Sequence, residues 1–325
     1  MNTKNKAKQR EELLKLLIEK GGPILSEAQQ LMSSMKFKSK HLKNGLKYVR
    51  KWWKDLVRPA LMVLTCEALG ANPEIIKPLA RGLILTAAAI DIHDDIIDKT
   101  EVKGPYRRKT VLAREGQAHT LILGDALFVQ GLIELSKTYH LDIPKERVDQ
   151  ALQVIREALI ELGDAEALEQ EIVGKYDTPP EKYLEIIYKK AADTEAYLKA
   201  TAILAGATPQ QIQQLANYGR KLGMIIILAD DIEDTLNPNE LKSRITKEPP
   251  PLPLLYAYQN PKHQQEIRQL IQRHDARQLT KKIKETKSIA RTKKAIKSLA
   301  SDLRSFPHHY LISFIGLTIE EILGK

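Results

Sequence analysis

One cysteine, two tryptophans and four phenylalanines are all that this 325-residue chain holds of those types. A lone thiol closes no internal disulfide, and Cys66 lies in the apolar run Leu61 to Leu69, as a small buried hydrophobe does more often than a nucleophile. Alternation of the strand type is scarce. Long apolar runs are missing too: Leu83 to Ile90 stops at Asp91 and Leu222 to Ala229 stops at Asp230, short of the roughly 18 residues that cross a bilayer. The N-terminal stretch, Met1 to Leu17, is charged and then amphipathic, without the apolar core and small-residue cleavage site of a secretory signal. These absences predict a cytoplasmic protein with no transmembrane segment. There is also no fixed-period repeat and no low-complexity tract.

Charge of one sign is abundant in one place only. The net charge is +10, and residues 277 to 304 carry most of the excess, with only Glu285 and Asp302 opposing it. That segment has no interleaved aromatics, and no helix-turn-helix or zinc-ligand spacing accompanies it, so nucleic acid is not an expected partner. A solvated helix face is the expectation; peripheral contact with a membrane surface stays open.

Leucine, isoleucine, alanine, lysine and glutamate dominate, and 43% of the residues are hydrophobic, enough for a large core. The fold class is all-α. Apolar stripes predict helices over 6–20, 24–35, 57–69, 75–99, 111–137, 145–173, 180–206, 209–236, 252–272, 277–304 and 308–323. Breakers fall at Gly21-Gly22-Pro23, Gly104-Pro105, Thr178-Pro179-Pro180, Asn237-Pro238 and Pro249-Pro250-Pro251. None makes a linker long enough to separate domains. The reading is a single domain, residues 1–325, forming one large helical bundle with a central apolar cavity.

Chemistry concentrates in two acidic clusters. Asp91, Asp94 and Asp98 stand at i, i+3 and i+7, so on a helix their carboxylates share a face, and Asp230 and Asp234 do the same. Each cluster ends a strongly apolar run, where idle charge is costly. With aspartate at roughly 5% of the chain, an Asp-Asp-x-x-Asp match is expected by chance about 0.04 times. Neighbouring carboxylates repel and ask for a cation, and hard oxygen ligands at this spacing suit Mg²⁺ bridging to substrate phosphates. An apolar cavity with such carboxylates at its mouth suits a diphosphate head on a hydrocarbon tail.

These residues resemble the trans-isoprenyl diphosphate synthases, or polyprenyl synthetases, over nearly the whole chain. Asp94-Asp95-Ile96-Ile97-Asp98, with His93 before it, is similar to the first aspartate-rich motif, and Gly124-Asp125-Ala126-Leu127 to the Gly-Asp segment. Tyr183 to Ile187 followed by Lys190 resembles the lead-in to the Lys-Thr pair. Gly223 followed by Asp230-Asp231-Ile232-Glu233-Asp234 resembles the second motif, with Lys247 and Pro251-Leu252-Pro253 the flap beyond. The resemblance implies a homodimer with Asp94, Asp98, Asp230 and Asp234 as metal ligands. It also implies a three-Mg²⁺ clamp on an allylic diphosphate, departure of pyrophosphate, and attack on the carbocation by an alkene, usually that of isopentenyl diphosphate. Lys190 and Lys247, with Arg107 or Arg108, would stabilise the departing diphosphate, where negative charge accumulates. Ala89 and Ile90, five and four residues before the first motif, would line the chain cavity. Small side chains there imply a product of about twenty carbons or more.

The acceptor positions depart from the family. Its Gly-Gly-Lys-Arg-x-Arg-Pro stretch reads Trp53-Lys54-Asp55-Leu56-Val57-Arg58-Pro59. Arg58 survives, Asp55 stands for lysine, and Lys54 lies one residue away. A histidine before the first motif reads Ala87, the threonine after Lys190 reads Ala191, a Phe-Gln pair reads Ile226-Ile227, and Arg107-Arg108 follow a longer loop. Losing these contacts admits an acceptor without diphosphate, whereas a non-catalytic partner subunit would not need both motifs intact. Bland readings are expected elsewhere: packing for Trp52-Trp53, a loop without metal-ligand spacing for His308-His309, and a polar helix surface for Glu166 and Glu169.

Overall fold

The computed structural model describes residues 3–103, 107–303 and 309–324. Nearly all of them are helical, and the chain gathers into two compact units. One comprises residues 11–152 and 200–208, the other residues 1–10, 153–199 and 209–325.

The first unit is built on most of α1 (Thr3–Ser34), then α2 (Lys40–Trp52), α3 (Val57–Ala68), α4 (Lys77–Ile97), α5 (Val111–Glu115) and α6 (Gln117–Ser136). Gly21-Gly22-Pro23 does not break the chain as expected; α1 runs straight through it. Gly21 is there for contact, since a Cβ would lie 2.4 Å from the Leu56 carbonyl oxygen. The α2 helix is absent from the expected helices although Leu42, Leu46 and Val49 form a stripe on one face of it. Packing rescues it: a Cβ on Gly45 would sit 2.9 Å from Leu123, so the glycine lets α6 close in. The helix expected over 111–137 is two, because Gly116 takes a left-handed φ of 81°.

The α4 and α6 helices cross at Gly82 and Gly131, where each Cβ would meet the other's carbonyl oxygen at 2.9 Å. That close approach buries the Arg81–Glu134 pair (Nε to Oε1, 2.8 Å), with Glu134 fully enclosed. A short antiparallel pair, β1 (Val102–Lys103) and β2 (Arg108–Lys109), follows α4; residues Gly104, Pro105 and Tyr106 lie outside the described residues. The helical stretch Gln117–His140 has a mean hydropathy of 1.3 over its best window, long and apolar enough to cross a membrane by length and composition. Scattered polar residues, Asp125 among them, hide it from a search for unbroken apolar runs.

The second unit holds most of α7 (Lys145–Ile172), then α8 (Pro180–Lys190), most of α9 (Ala192–Leu204), α10 (Pro209–Leu236), α11 (Pro238–Arg244), α12 (Leu252–Tyr258), α13 (Pro261–Gln272), α14 (Ala276–Glu285), α15 (Ser288–Leu303) and α16 (His309–Gly324). Three long expected helices are each interrupted: at Ala191, at Asn260 before Pro261, and at Lys287, which adopts φ 61°. Asn237-Pro238, expected as a breaker, starts a helix, with the Asn237 side chain accepting from the Asn239 N–H and Pro at N1. Gly219 and Gly223 form one small stripe on α10. Their added Cβ atoms would meet the Thr194 carbonyl oxygen at 2.6 Å and the Ala191 Cβ at 2.8 Å. Arg220 between them is buried against Glu161, Glu195 and the Tyr188 carbonyl. Along α14 and α15, Arg277, Lys281, Lys284, Arg291, Lys294 and Lys297 are exposed, as a solvated basic face requires. His308 and Arg304 lie outside the described residues.

Candidate functional site

The first aspartate motif closes α4. Asp98 is the residue after its last turn, donating its N–H to the Asp94 carbonyl at 2.9 Å. Asp94 and Asp98 are both half-buried. Asp95 faces inward, and burial pushes its carboxyl up to about 6 against the pull of Lys103, whose Nζ lies 2.8 Å away. His93 explains the Gly-Asp segment on α6. A Cβ on Gly124 would lie 2.3 Å from its Nε2, and the Asp125 carboxylate lies 3.3 Å from the same nitrogen. Gly124→Ala should therefore displace His93 and disturb Asp94 beside it. An overpacking loss of about 1–3 kcal/mol is expected, readable as a lowered denaturant midpoint.

Upstream, Asp55 has a structural task. Its Oδ1 accepts from the Val57 and Arg58 N–H groups at 3.0 and 3.2 Å, starting α3. Its other oxygen holds the Arg58 guanidinium at 2.8 Å. The expected substrate contact Arg58 is thus already matched by a carboxylate. Lys54 is exposed, with its Nζ 3.5 Å from the Arg50 carbonyl. Trp52 and Trp53 do more than pack. With Tyr48, Ile92, Asp91 and Arg108 they line a cavity of about 200 Å³. Trp53 donates its indole N–H to Asp91 at 2.5 Å, and Arg108 lies over the Trp52 ring at 4.4 Å. Arg107 is exposed, at φ 46°. Ala89 sits in a packed cluster with Leu85, Met32 and Leu127, fully buried, while Ile90 is only half-buried. A bulky residue at Ala89 would press on that cluster.

In the second unit, Asp230, Asp231 and Asp234 end α10, and their environments differ. Asp231 is fully buried and accepts from the Tyr183 hydroxyl at 2.9 Å, the Leu252 N–H at 2.9 Å and the Arg244 guanidinium. Asp234 is half-buried and takes the Arg244 Nε at 3.0 Å. Asp230 is exposed at the surface, with the carboxylates of Asp234, Asp231 and Glu233 near it. Desolvation first, then the charges of Asp234 and Asp231, push its carboxyl up to about 7. Lys190, at the end of α8, pairs with Glu166 at 3.0 Å and with Glu169; Glu169 is buried, so these glutamates are not a solvated face. Lys247 is exposed in the turn after α11. Arg244 carried no motif that sequence reading could use, and neither did the pairing of Tyr183 with Asp231 or of Trp53 with Asp91.

Among the described residues no three carboxylate, histidine or cysteine groups converge into a metal cage. The donor chemistry nevertheless suits Mg²⁺, because each motif has drawn a cation onto its carboxylates, Lys103 in one and Arg244 in the other.

Residues 39–289 match the Polyprenyl synthetase family. The chain belongs to that family. A short chain isoprenyl diphosphate synthase of Methanothermobacter thermautotrophicus is 34% identical over 188 residues, 57% of this chain and 55% of that protein. An octaprenyl diphosphate synthase of Escherichia coli is 28% identical over 237 residues, 70% of each. The aligned stretch thus spans little more than half of the first relative's length. The geranylgeranyl pyrophosphate synthetase of Pyrococcus horikoshii shares the fold with a TM-score of 0.83 at 23% identity, over 97% of this chain and 99% of that one.

The raised Asp230 carboxyl gives this polyprenyl synthetase a pH signature. Its folded value lies above that of an unfolded carboxylate, so the folded state holds a proton that the unfolded chain releases. The stability linked to it is present at acid pH and is lost as pH rises through about 7. Thermal melting in chelator should show the stability falling as pH rises from about 4 to about 7, the span between the unfolded and folded values, and Asp230→Asn should flatten it.

Proposed function

We propose that this polyprenyl synthetase ionises an allylic prenyl diphosphate with Mg²⁺ and condenses it with isopentenyl diphosphate. The product is a trans-polyprenyl diphosphate of about twenty carbons or more. Both units serve this one activity as a single prenyltransferase domain. The observation that carries the reading is that each aspartate motif ends an apolar helix and already holds a cationic side chain against its carboxylates. Asp94 and Asp98, with Asp230 and Asp234, would hold Mg²⁺, which neutralises the leaving diphosphate as the C–O bond breaks. Lys190 and Lys247 would add positive charge to that leaving group. The relatives range from a short chain to an octaprenyl diphosphate synthase, which leaves length to the cavity wall. Ile90→Trp should shorten the product, as read by mass spectrometry of the dephosphorylated alcohols; unchanged length would remove Ile90 from the wall.

A second reading, an acceptor without diphosphate, is favoured by the Asp55–Arg58 pair and by the cavity that Trp52 and Trp53 line. A second diphosphate needs unmatched cations in a partly desolvated site. Asp55→Asn keeps an oxygen to start α3 and removes the negative charge beside Arg58. Calorimetry with a nonreactive allylic analogue and Mg²⁺ should then show isopentenyl diphosphate binding several-fold tighter, by about 1 kcal/mol. Tight binding by the parent protein, unchanged in the variant, would leave elongation as the whole activity. Ala87→His is a poorer restoration, because Ala87 is 4% exposed and an imidazole would overpack it.

We further propose a homodimer. Leu121, Ile122, Val129, Leu132 and Ile133 expose 44–53% of their surface on one face of α6. An apolar face of this size, interrupted by Asp125, asks for cover, and a second copy supplies an identical one. Light scattering should return a dimer, and Val129→Lys with Ile133→Lys a monomer; a monomeric parent protein would contradict the proposal.

A further inference from the structure

We propose that Arg244 is the positioning residue of the second aspartate motif: an internal counter-ion that holds Asp234 until a divalent cation takes its place. The proposal rests on the metal-dependent reading above. Arg244 closes α11 ten residues after Asp234, and its guanidinium has two unlike ends. One nitrogen, Nη2, donates to Asp231. The other, Nε, donates to Asp234 Oδ2 at 3.0 Å. Glu248 Oε2 stands further off, at 3.8 Å.

The two carboxylates differ in what else they can do. Asp231 is fully enclosed, and its oxygens are taken up by the Tyr183 hydroxyl, the Leu252 N–H and Arg244. It is an anchor, joining α10 to α8, to α11 and to the first residue of α12, and not a ligand in waiting. Asp234 is half-buried and shares only Oδ2 with the guanidinium. A cation arriving at Asp234 therefore competes with Nε alone, while Nη2 stays on Asp231. Arg244 would so lower the affinity of the empty motif for metal and keep the Asp234 carboxylate aimed in one direction.

The test isolates the second motif in an Asp94→Asn/Asp98→Asn background, with bound Mn²⁺ read by electron paramagnetic resonance in the presence of inorganic pyrophosphate. Arg244→Gln alone strands the buried Asp231 charge and can unfold the protein, so the comparison is between Asp231→Asn and Asp231→Asn/Arg244→Gln, which differ only at Arg244. The double variant is expected to bind Mn²⁺ about tenfold more tightly than Asp231→Asn, and Arg244→Lys, which keeps the charge, to stay near the parent. Equal or weaker binding in the double variant would overturn the role of Arg244 while leaving the metal reading in place. No Mn²⁺ bound in any of these proteins would overturn both.

Discussion

Asp94→Asn, Asp98→Asn, Asp230→Asn and Asp234→Asn should each lower turnover by about 100- to 1,000-fold, the range seen when one group stabilising transition-state charge is removed. All four carboxylates touch solvent, and the buried Arg244 Nε that Asp234 accepts from belongs to a guanidinium that keeps Asp231. Stability should therefore hold, and relief of repulsion at Asp230 should raise it slightly at neutral pH. The check is steady-state pyrophosphate release beside a denaturant titration of each variant. Near-normal rates in any two of the four would remove the metal clamp from the account.

Asp231→Ala should behave in the opposite way. Although it lies in the same motif, it is fully buried and serves three hydrogen-bond donors from three other segments. Its loss takes a shared carboxylate from the Arg244 charge, the Tyr183 hydroxyl and the Leu252 N–H at once. Breaking a buried charge pair from one side costs about 3–5 kcal/mol. A large fall in the denaturant midpoint is expected. A variant of normal stability that had only lost metal would show instead that Asp231 is itself a ligand.

These two predictions mark what could be read from the chain and what could not. The aspartate spacings are local, so periodicity alone placed Asp94, Asp98, Asp230 and Asp234 at the ends of apolar helices, and α4 and α10 run close to the expected bounds. Contacts between distant residues leave no such trace. Gly21 and Gly45 read as helix breakers or neutral positions because their purpose is the approach of Leu56 and Leu123, far away in sequence. Asp55 reads as a repulsive acceptor contact until its two N–H donors and Arg58 show it starting α3. Arg244 is one basic residue among many in sequence, and only its two carboxylate partners single it out. The burial of Ala89 among Leu85, Met32 and Leu127 is likewise a matter of distant contacts.

The most direct test of the account is turnover by the purified chain with geranylgeranyl diphosphate, with and without Mg²⁺ and isopentenyl diphosphate. The account predicts pyrophosphate release that requires Mg²⁺, disappears in Asp94→Asn, and with isopentenyl diphosphate present yields a longer prenyl diphosphate. A folded protein that releases no pyrophosphate from the allylic substrate in saturating Mg²⁺, whether or not isopentenyl diphosphate is added, would contradict it.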